Sequence, residues 1–452
     1  MFNDFICLSE KVFWDLTKLS PSIKKKIMQI LNSSSLFLFV LWALFLFSCS
    51  KSGYVQPSAS EDTSLIEDIA GKKLTVNSFE KAYIRALDSF ARTRNMDPED
   101  FYLLVRSPET SLPPEYKNFQ MQFNKPNFYL SYRQMLMVQA DAEKSGFVGE
   151  AHTRKTLEHL RLQTAANYFL QEKINKSLNI QKEEAEKECS FIRQEKKTYK
   201  KIDNSICLAI GRTVVRQKKS GVVFSAYLNH LREGVSIEQN DSLDIENILR
   251  NLNRIGENKE NPLLVRVGTR EIRANDFINY YNTELTSFSD LQGVTENSLE
   301  VIANMKGREI PVEFQIYKEK FDRVSVFNNL KLFVMLQHYS EIENYNTRSD
   351  IRSLLDLSDL QTLTRMYLFH VAKQGIKISK ADISTECKRL KATSEFYKSL
   401  SEKECNVLAE SYLYQSEFEV KVPAVMRKIT DRISIKHNEA FDLKAYLNKP
   451  VQ

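Results

Sequence analysis

This chain repeats itself, and that repeat limits what it can fold into more than any other feature. Cys189 and Cys207 are followed, 198 positions later, by Cys387 and Cys405 with the same spacing, in a sequence of 452 residues. At that offset Leu162-Gln163-Thr164 falls on Leu360-Gln361-Thr362, and the register holds without a gap through the first cysteine of each pair. Upstream, Leu74, Asn77, Phe79 and Tyr83 fall on Ile272, Asn275, Phe277 and Tyr281, while Pro113, Glu115 and Phe123 fall on Pro311, Glu313 and Phe321. Downstream, "VSIEQNDSLDIENIL" falls on "ISIKHNEAFDLKAYL". Similarity held over one long register implies a duplicated unit. The expected organisation is a leader over 1–48, a tether over 49–61 and two tandem homologous domains, 62–259 and 260–452, each of ordinary domain size.

Within each unit the apolar spacing is mostly helical. Tyr132, Met135, Leu136, Val138 and Ala142 recur at three- and four-residue steps and stop at Gly146, as a helix closing on a left-handed glycine does. "SLLDLSDLQTLTRMYLFHVAKQGI" repeats that pattern up to Gly375. Only the unit entrances alternate: Val265 and Val267, a turn at Gly268-Thr269, then Ile272. The fold class expected is mainly α, with a small β-hairpin at the entrance of each domain.

The first 49 residues have the layout of an export signal: Lys24 to Lys26, an apolar run from Leu36 to Phe47, then Ser48-Cys49. That run is shorter than the ~20 residues a membrane-spanning helix needs. Leu46-Phe47-Ser48-Cys49 resembles the lipobox of bacterial lipoproteins, with bulky Phe47 departing from the strict pattern as in the looser boxes of spirochaetes. The resemblance implies a lipid (acyl chains) on Cys49 and attachment to the cell envelope, at the periplasmic face or the outer membrane. The Ser-, Gly- and Pro-containing stretch after Cys49 suits a flexible tether.

Of six cysteines, Cys7 leaves with the leader and Cys49 takes lipid, so one pair remains per unit. Export permits disulfides, and Cys189–Cys207 and Cys387–Cys405 are expected to staple neighbouring helices. In the second unit Ser401 and Glu404 read as a capping box opening the next helix.

"VGTREIRANDFINYY", and less closely "AGKKLTVNSFEKAY", resemble the entry segment of the SurA/PrsA family of exported chaperones. "YLFHVAKQGIKISKADISTECKRL" is similar to that family's next signature through Ala372, Gly375, Ile376, Ile378, Ser379, Asp382 and Ile383; Ala142, Gly146 and Phe147 echo its first part. The resemblance covers about a third of each unit. It implies a helical module that holds unfolded or partly folded exported proteins. The glycine motifs of the parvulin isomerase domain that many members carry are missing from this sequence, and isomerase activity is not expected.

No catalytic constellation emerges. The histidines are His152, His159, His230, His338, His370 and His437; His152 and His159 with Glu158 share a stretch that reads as a solvated amphipathic helix. HExxH, phosphate loops, GxSxG and zinc-ligand clusters are missing. A net charge of +6 over 452 residues is no nucleic-acid footprint. The 27 Phe and 19 Tyr are more informative. Tyr116, Phe119, Phe123 and Phe128, with Phe314, Tyr317 and Phe321 in the second unit, are the candidate client-binding residues, an adaptable groove for apolar segments. The expectation is a lipid-anchored, non-enzymatic chaperone or assembly factor with no metal, cofactor, small-molecule substrate or nucleic-acid partner. The alternative is a surface or periplasmic scaffold lipoprotein binding one folded partner. Intact-mass measurement of the membrane-extracted protein should find a chain beginning at Cys49 with acyl groups and no free thiol, and Cys49→Ser should move it to the soluble fraction.

Overall fold

The computed structural model describes residues 59–254, 256, 258–305 and 310–449, and Cys49, the leader and most of the tether lie outside them. The first half runs β1 (Leu65–Ile69), β2 (Lys72–Thr75), α1 (Val76–Thr93), α2 (Pro98–Arg106), α3 (Pro114–Phe123), α4 (Lys125–Lys144), α5 (Ala151–Ser177), α6 (Lys182–Glu195), α7 (Asn204–Gly234), β3 (Ile237–Gln239) and α8 (Ile245–Asn251). The second half repeats the order: β4 (Leu263–Val267), β5 (Arg270–Arg273), α9 (Ala274–Gln292), α10 (Glu296–Asn304), α11 (Val312–Phe321), α12 (Arg323–Ile342), α13 (Ser349–Gln374) and α14 (Lys380–Thr393). A short α15 (Glu395–Ser399), α16 (Glu402–Arg432), β6 (Ile435–His437) and α17 (Leu443–Leu447) complete it. The described chain is mainly helical with small antiparallel sheets, as the periodicity implies. None of its helices is long and apolar enough to cross a membrane.

The correspondence extends to backbone detail. Both entrance hairpins turn in two residues, Ala70-Gly71 and Gly268-Thr269, and both carry an irregularity at the same place, between Leu65 and Glu67 and between Leu263 and Val265. Each non-glycine residue with positive φ (Ala70, Asn95 and Asn344) has, at the 198-residue offset, a glycine with positive φ: Gly268, Gly293 and Gly146. The buried Tyr83 hydroxyl donates to Phe123 O at 2.7 Å, and that of Tyr281 donates to Phe321 O at 3.3 Å.

Two separate tandem domains are not what this arrangement shows. The sheet orders are β2-β1-β6 and β3-β4-β5, so each hairpin takes its third strand from the other half. Helices interleave as well: α13 packs against α4 and α5, and α5 packs against α12. One core cluster joins Met137, Val138, Ala142 and Phe147 to Leu363, Met366, Tyr367, Val425 and Ile429. Where α5 and α13 meet, the Arg161 guanidinium donates to Asp359, its own counterpart, and to Asp356 at 3.0 Å. A residue meets its own counterpart only beside an axis relating the copies, so this contact marks a local pseudo-twofold. The repeated pattern is visible along the sequence, but pairing across halves is a long-range choice that no local pattern encodes.

Several sequence expectations have direct counterparts. Gly146 is left-handed (φ 82°) just after α4, whereas Gly375 stays right-handed (φ −93°). Ser401 and Glu404 form the expected capping box. Cys189 on α6 and Cys207 on α7 are disulfide-bonded with Cα atoms 5.4 Å apart, and Cys387 on α14 and Cys405 on α16 with Cα atoms 5.5 Å apart. The first staple sits at a close crossing: a Cβ on Gly211 would collide with the Ala185 carbonyl, whereas Ala409 stands at the matching position of the second half. Two substitutions should therefore act in opposite directions in thermal or urea unfolding. Ala70→Gly should stabilise the chain by about 1 kcal/mol through relief of a left-handed backbone. Gly211→Ala should destabilise it by about 1–3 kcal/mol through overpacking.

Candidate functional site

The aromatic groove expected from the sequence is corrected by burial. Phe123, Phe128 and Phe321 are 5%, 5% and 0% exposed and belong to the core. Phe123 packs on Phe90 and Phe101, Phe128 on Phe79 and Tyr83, and Phe321 on Phe288. Tyr116, Phe119, Phe314 and Tyr317 are partly buried against the same clusters. The spacing that suggests a groove is the inward face of α3, α4 and α11. Apolar side chains that do reach solvent include Met121, Leu130 and Ile316 near those rings, and Val222 and Val420, at counterpart positions on α7 and α16.

The helix holding His152 and His159 is largely solvated over 150–158, as expected, but His159 is not. His159, 12% exposed, lies 2.7 Å from Glu284 on α9, and Gln163 donates to Glu284 and to the Tyr280 hydroxyl. His152 lies 2.7 Å from Asp290. Both histidines thus tie the halves together. Among the described residues no cluster of three His, Cys, Asp or Glu side chains is placed to hold a metal. A cleft of about 370 Å³ lies between Glu246, Arg250, Met305, Lys318 and Asp322, and Arg250 there is paired with Glu246 and Asp322.

The first half holds a buried ionic network that the second does not repeat. Asp97 caps α2 through Glu99 N and accepts from Arg216 at 3.0 Å; Arg212 Nε donates to both oxygens of Asp100, at 3.1 and 2.9 Å. Their counterparts are Thr295, Tyr414, Glu410 and Ser298. Burial pushes the Asp100 carboxyl up to about 6, against the pull of Arg212. Beside this network Asn95 donates to Ser220 at 3.3 Å, where the second half packs Phe369 at a tilt on Phe418 (centroids 4.6 Å) against Gly293. This centre pins α2 to α7. Its charged groups are engaged with one another.

The most elaborate surface is the groove on the first hairpin, filled by the C-terminal segment. Ala70 N donates to Ser434 O (2.9 Å), Asn438 N to Ile66 O (3.2 Å) and the Asn438 side chain to Leu65 O (2.8 Å), continuing the pairing of β6 on β1. Opposite His437 stands Glu67, wholly buried, 3.1 Å from Arg133 and 3.2 Å from His437. Burial, with the Glu67 carboxylate beside it, holds the Tyr129 hydroxyl well above its usual range. Further on, α17 lays Tyr446 on the floor: its ring meets Lys125 Nζ 3.7 Å from the centroid, its hydroxyl donates to Glu80 at 2.9 Å, and it packs edge-on to Phe79. Lys125 is paired with Glu80 at 3.2 Å. Phe441, Leu443 and Leu447 complete the contact.

The second hairpin holds β3 and α8 in the same way. Gly268 N donates to Ser236 O and Asn240 N to Leu264 O, and Arg323, in the place of Lys125, donates to Leu249 O and Leu252 O. Both grooves bind a strand–turn–helix segment by strand addition. Sequence reading missed them because their occupants, "ISIKHNEAFDLKAYL" and "VSIEQNDSLDIENIL", read as ordinary ends of units; their match across the offset was the available signal. Comparison with protein-family models, with curated proteins and with solved structures finds no match to this chain.

The ionic network generates a pH prediction. The folded state holds the Asp100 proton more tightly than the unfolded chain, where the ordinary value is 3.8. The stability this group contributes is therefore present below pH 4 and lost as pH rises through about 6. Unfolding of wild type and Asp100→Asn measured from pH 4 to pH 7 should show the wild type losing ground to the variant as pH rises.

Proposed function

We propose that this protein is a lipid-anchored, non-enzymatic holding chaperone or assembly factor for exported proteins, built from two homologous copies of a peptide-holding unit. The observation that carries the reading is the pair of occupied strand-addition grooves. Each hairpin already grips an extended segment through main-chain hydrogen bonds and seats a short helix on a hydrophobic floor. Main-chain pairing of this kind is tolerant of sequence, which is what a holder of many clients needs.

The resemblance to the SurA/PrsA family supports the same reading at the level of local structure. The segment similar to that family's signature forms a helix ending at Gln374, then Ser379 capping α14 through a box with Asp382. Client contact is assigned to the exposed apolar side chains, Met121, Leu130 and Ile316 among them, in place of the buried rings. Lipid on Cys49 and a tether would keep such a holder at the membrane where exported chains emerge.

The test is suppression of aggregation. A soluble Cys49→Ser form at near-stoichiometric ratio should slow aggregation of several unrelated, chemically unfolded proteins. No effect on any of them, together with one stable partner recovered from envelope extracts, would instead fit a scaffold lipoprotein.

A further inference from the structure

The two grooves hold matching segments but not on matching terms. The segment on the second hairpin is tied at both ends, by α7 before it and by β4 after it. The segment on the first hairpin, from Ile433 to Lys449, follows α16. Its helix is also shallower: α17 has no buried residue, whereas Ile245 and Leu249 of α8 are 7% and 1% exposed.

The floors differ in kind. Glu67, Glu80, Tyr129 and Arg133 stand where the second groove has Val265, Ile278, Phe327 and Lys331. Each buried carboxylate of the first groove has a cation that belongs to the groove itself, Arg133 for Glu67 and Lys125 for Glu80. Departure of the C-terminal segment would leave neither carboxylate without a counter-charge, and orphaned buried charge is the main cost of breaking such a contact. In the second groove Arg323 gives two short hydrogen bonds to carbonyls of the bound segment, Leu249 O and Leu252 O, and would keep only Glu300, 3.4 Å away, whereas Lys125 meets a carbonyl of its segment, Tyr446 O, at 3.5 Å.

We infer that the C-terminal segment is an exchangeable occupant of the first groove, and that the groove it vacates takes an extended segment of a client polypeptide. This rests on the chaperone reading for the identity of the partner, and on the groove alone for the exchange. The occupant also states the chemistry selected. An incoming strand places a residue able to carry positive charge opposite Glu67, as His437 does, and nine residues on an aromatic ring over Lys125, as Tyr446 does. Main-chain pairing to β1 supplies the remainder without regard to sequence.

The experiment uses the full mature chain carrying Cys49→Ser and a fluorescent peptide copying residues 433–449. In one variant, Asp68→Cys with Lys436→Cys, the engineered cysteines occupy a directly paired position of β1 and β6 and lock the segment in place when oxidised. In the other, Phe441→Ala with Tyr446→Ala, the segment is loosened. Peptide binding by anisotropy should be at least about tenfold tighter to the loosened chain than to wild type and lost in the locked one. Asp68→Ser with Lys436→Ser should bind like wild type, which separates locking from substitution. A peptide with His437→Asp should bind the loosened chain about tenfold more weakly, since a second carboxylate then faces Glu67. Should loosening prevent folding, Tyr446→Phe keeps the ring over Lys125, drops the bond to Glu80, and should show a smaller gain. Peptide binding equal in the locked, wild-type and loosened chains overturns the inference, even if the protein suppresses aggregation. Exchange of the peptide without any suppression leaves the inference standing and removes the chaperone reading.

Discussion

Everything in this fold depends on the completion of each hairpin by a strand from the other half. A two-stranded hairpin is marginal in water and presents an edge of unpaired N–H and C=O groups. β6 covers the edge of β1 and β3 covers that of β4. The edges that would otherwise invite foreign chains are thereby occupied from within. Because each half supplies what the other lacks, neither is a complete body, and the mixed core around Phe147 and Tyr367 follows from that exchange.

Around this common frame the two halves differ in chemistry while sharing backbone features. Positive φ recurs at three matched pairs of positions although glycine occupies only one member of each pair. Side chains are freer: the first half buries Asp97, Asp100 and Arg216 with Arg212 at their edge, and the second packs Phe369 at a tilt on Phe418. Buried ion pairs contribute little net stability compared with apolar packing of similar volume, because both charges lose their hydration. Here they join α2 to α7. Such differences make the two halves chemically distinct partners within one architecture.

The same asymmetry bears on function. The proposed holding role needs a surface that is adaptable yet covered when idle. Several of the aromatics that looked adaptable in the sequence are core, which leaves scattered exposed apolar residues at the surface. The first groove combines a strand edge, an aromatic floor and internally balanced charges with a shallowly seated occupant helix.

From the sequence alone come the internal repeat pattern and its offset, the helical character, both entrance hairpins, the Ser401 cap and the cysteine pairing. These are set by local periodicity, turn chemistry and self-comparison, all of which a linear chain displays. Whether Phe123 faces a client or the core was not legible, since amphipathic spacing marks an apolar face without saying what covers it. Nor was the partnership of His159 with Glu284, or of Glu67 with His437, separated by 125 and 370 positions. Tertiary structure decided which half completes which sheet. That choice turns on long-range burial and edge pairing, where equivalent segments compete for equivalent grooves and only the assembled core distinguishes them.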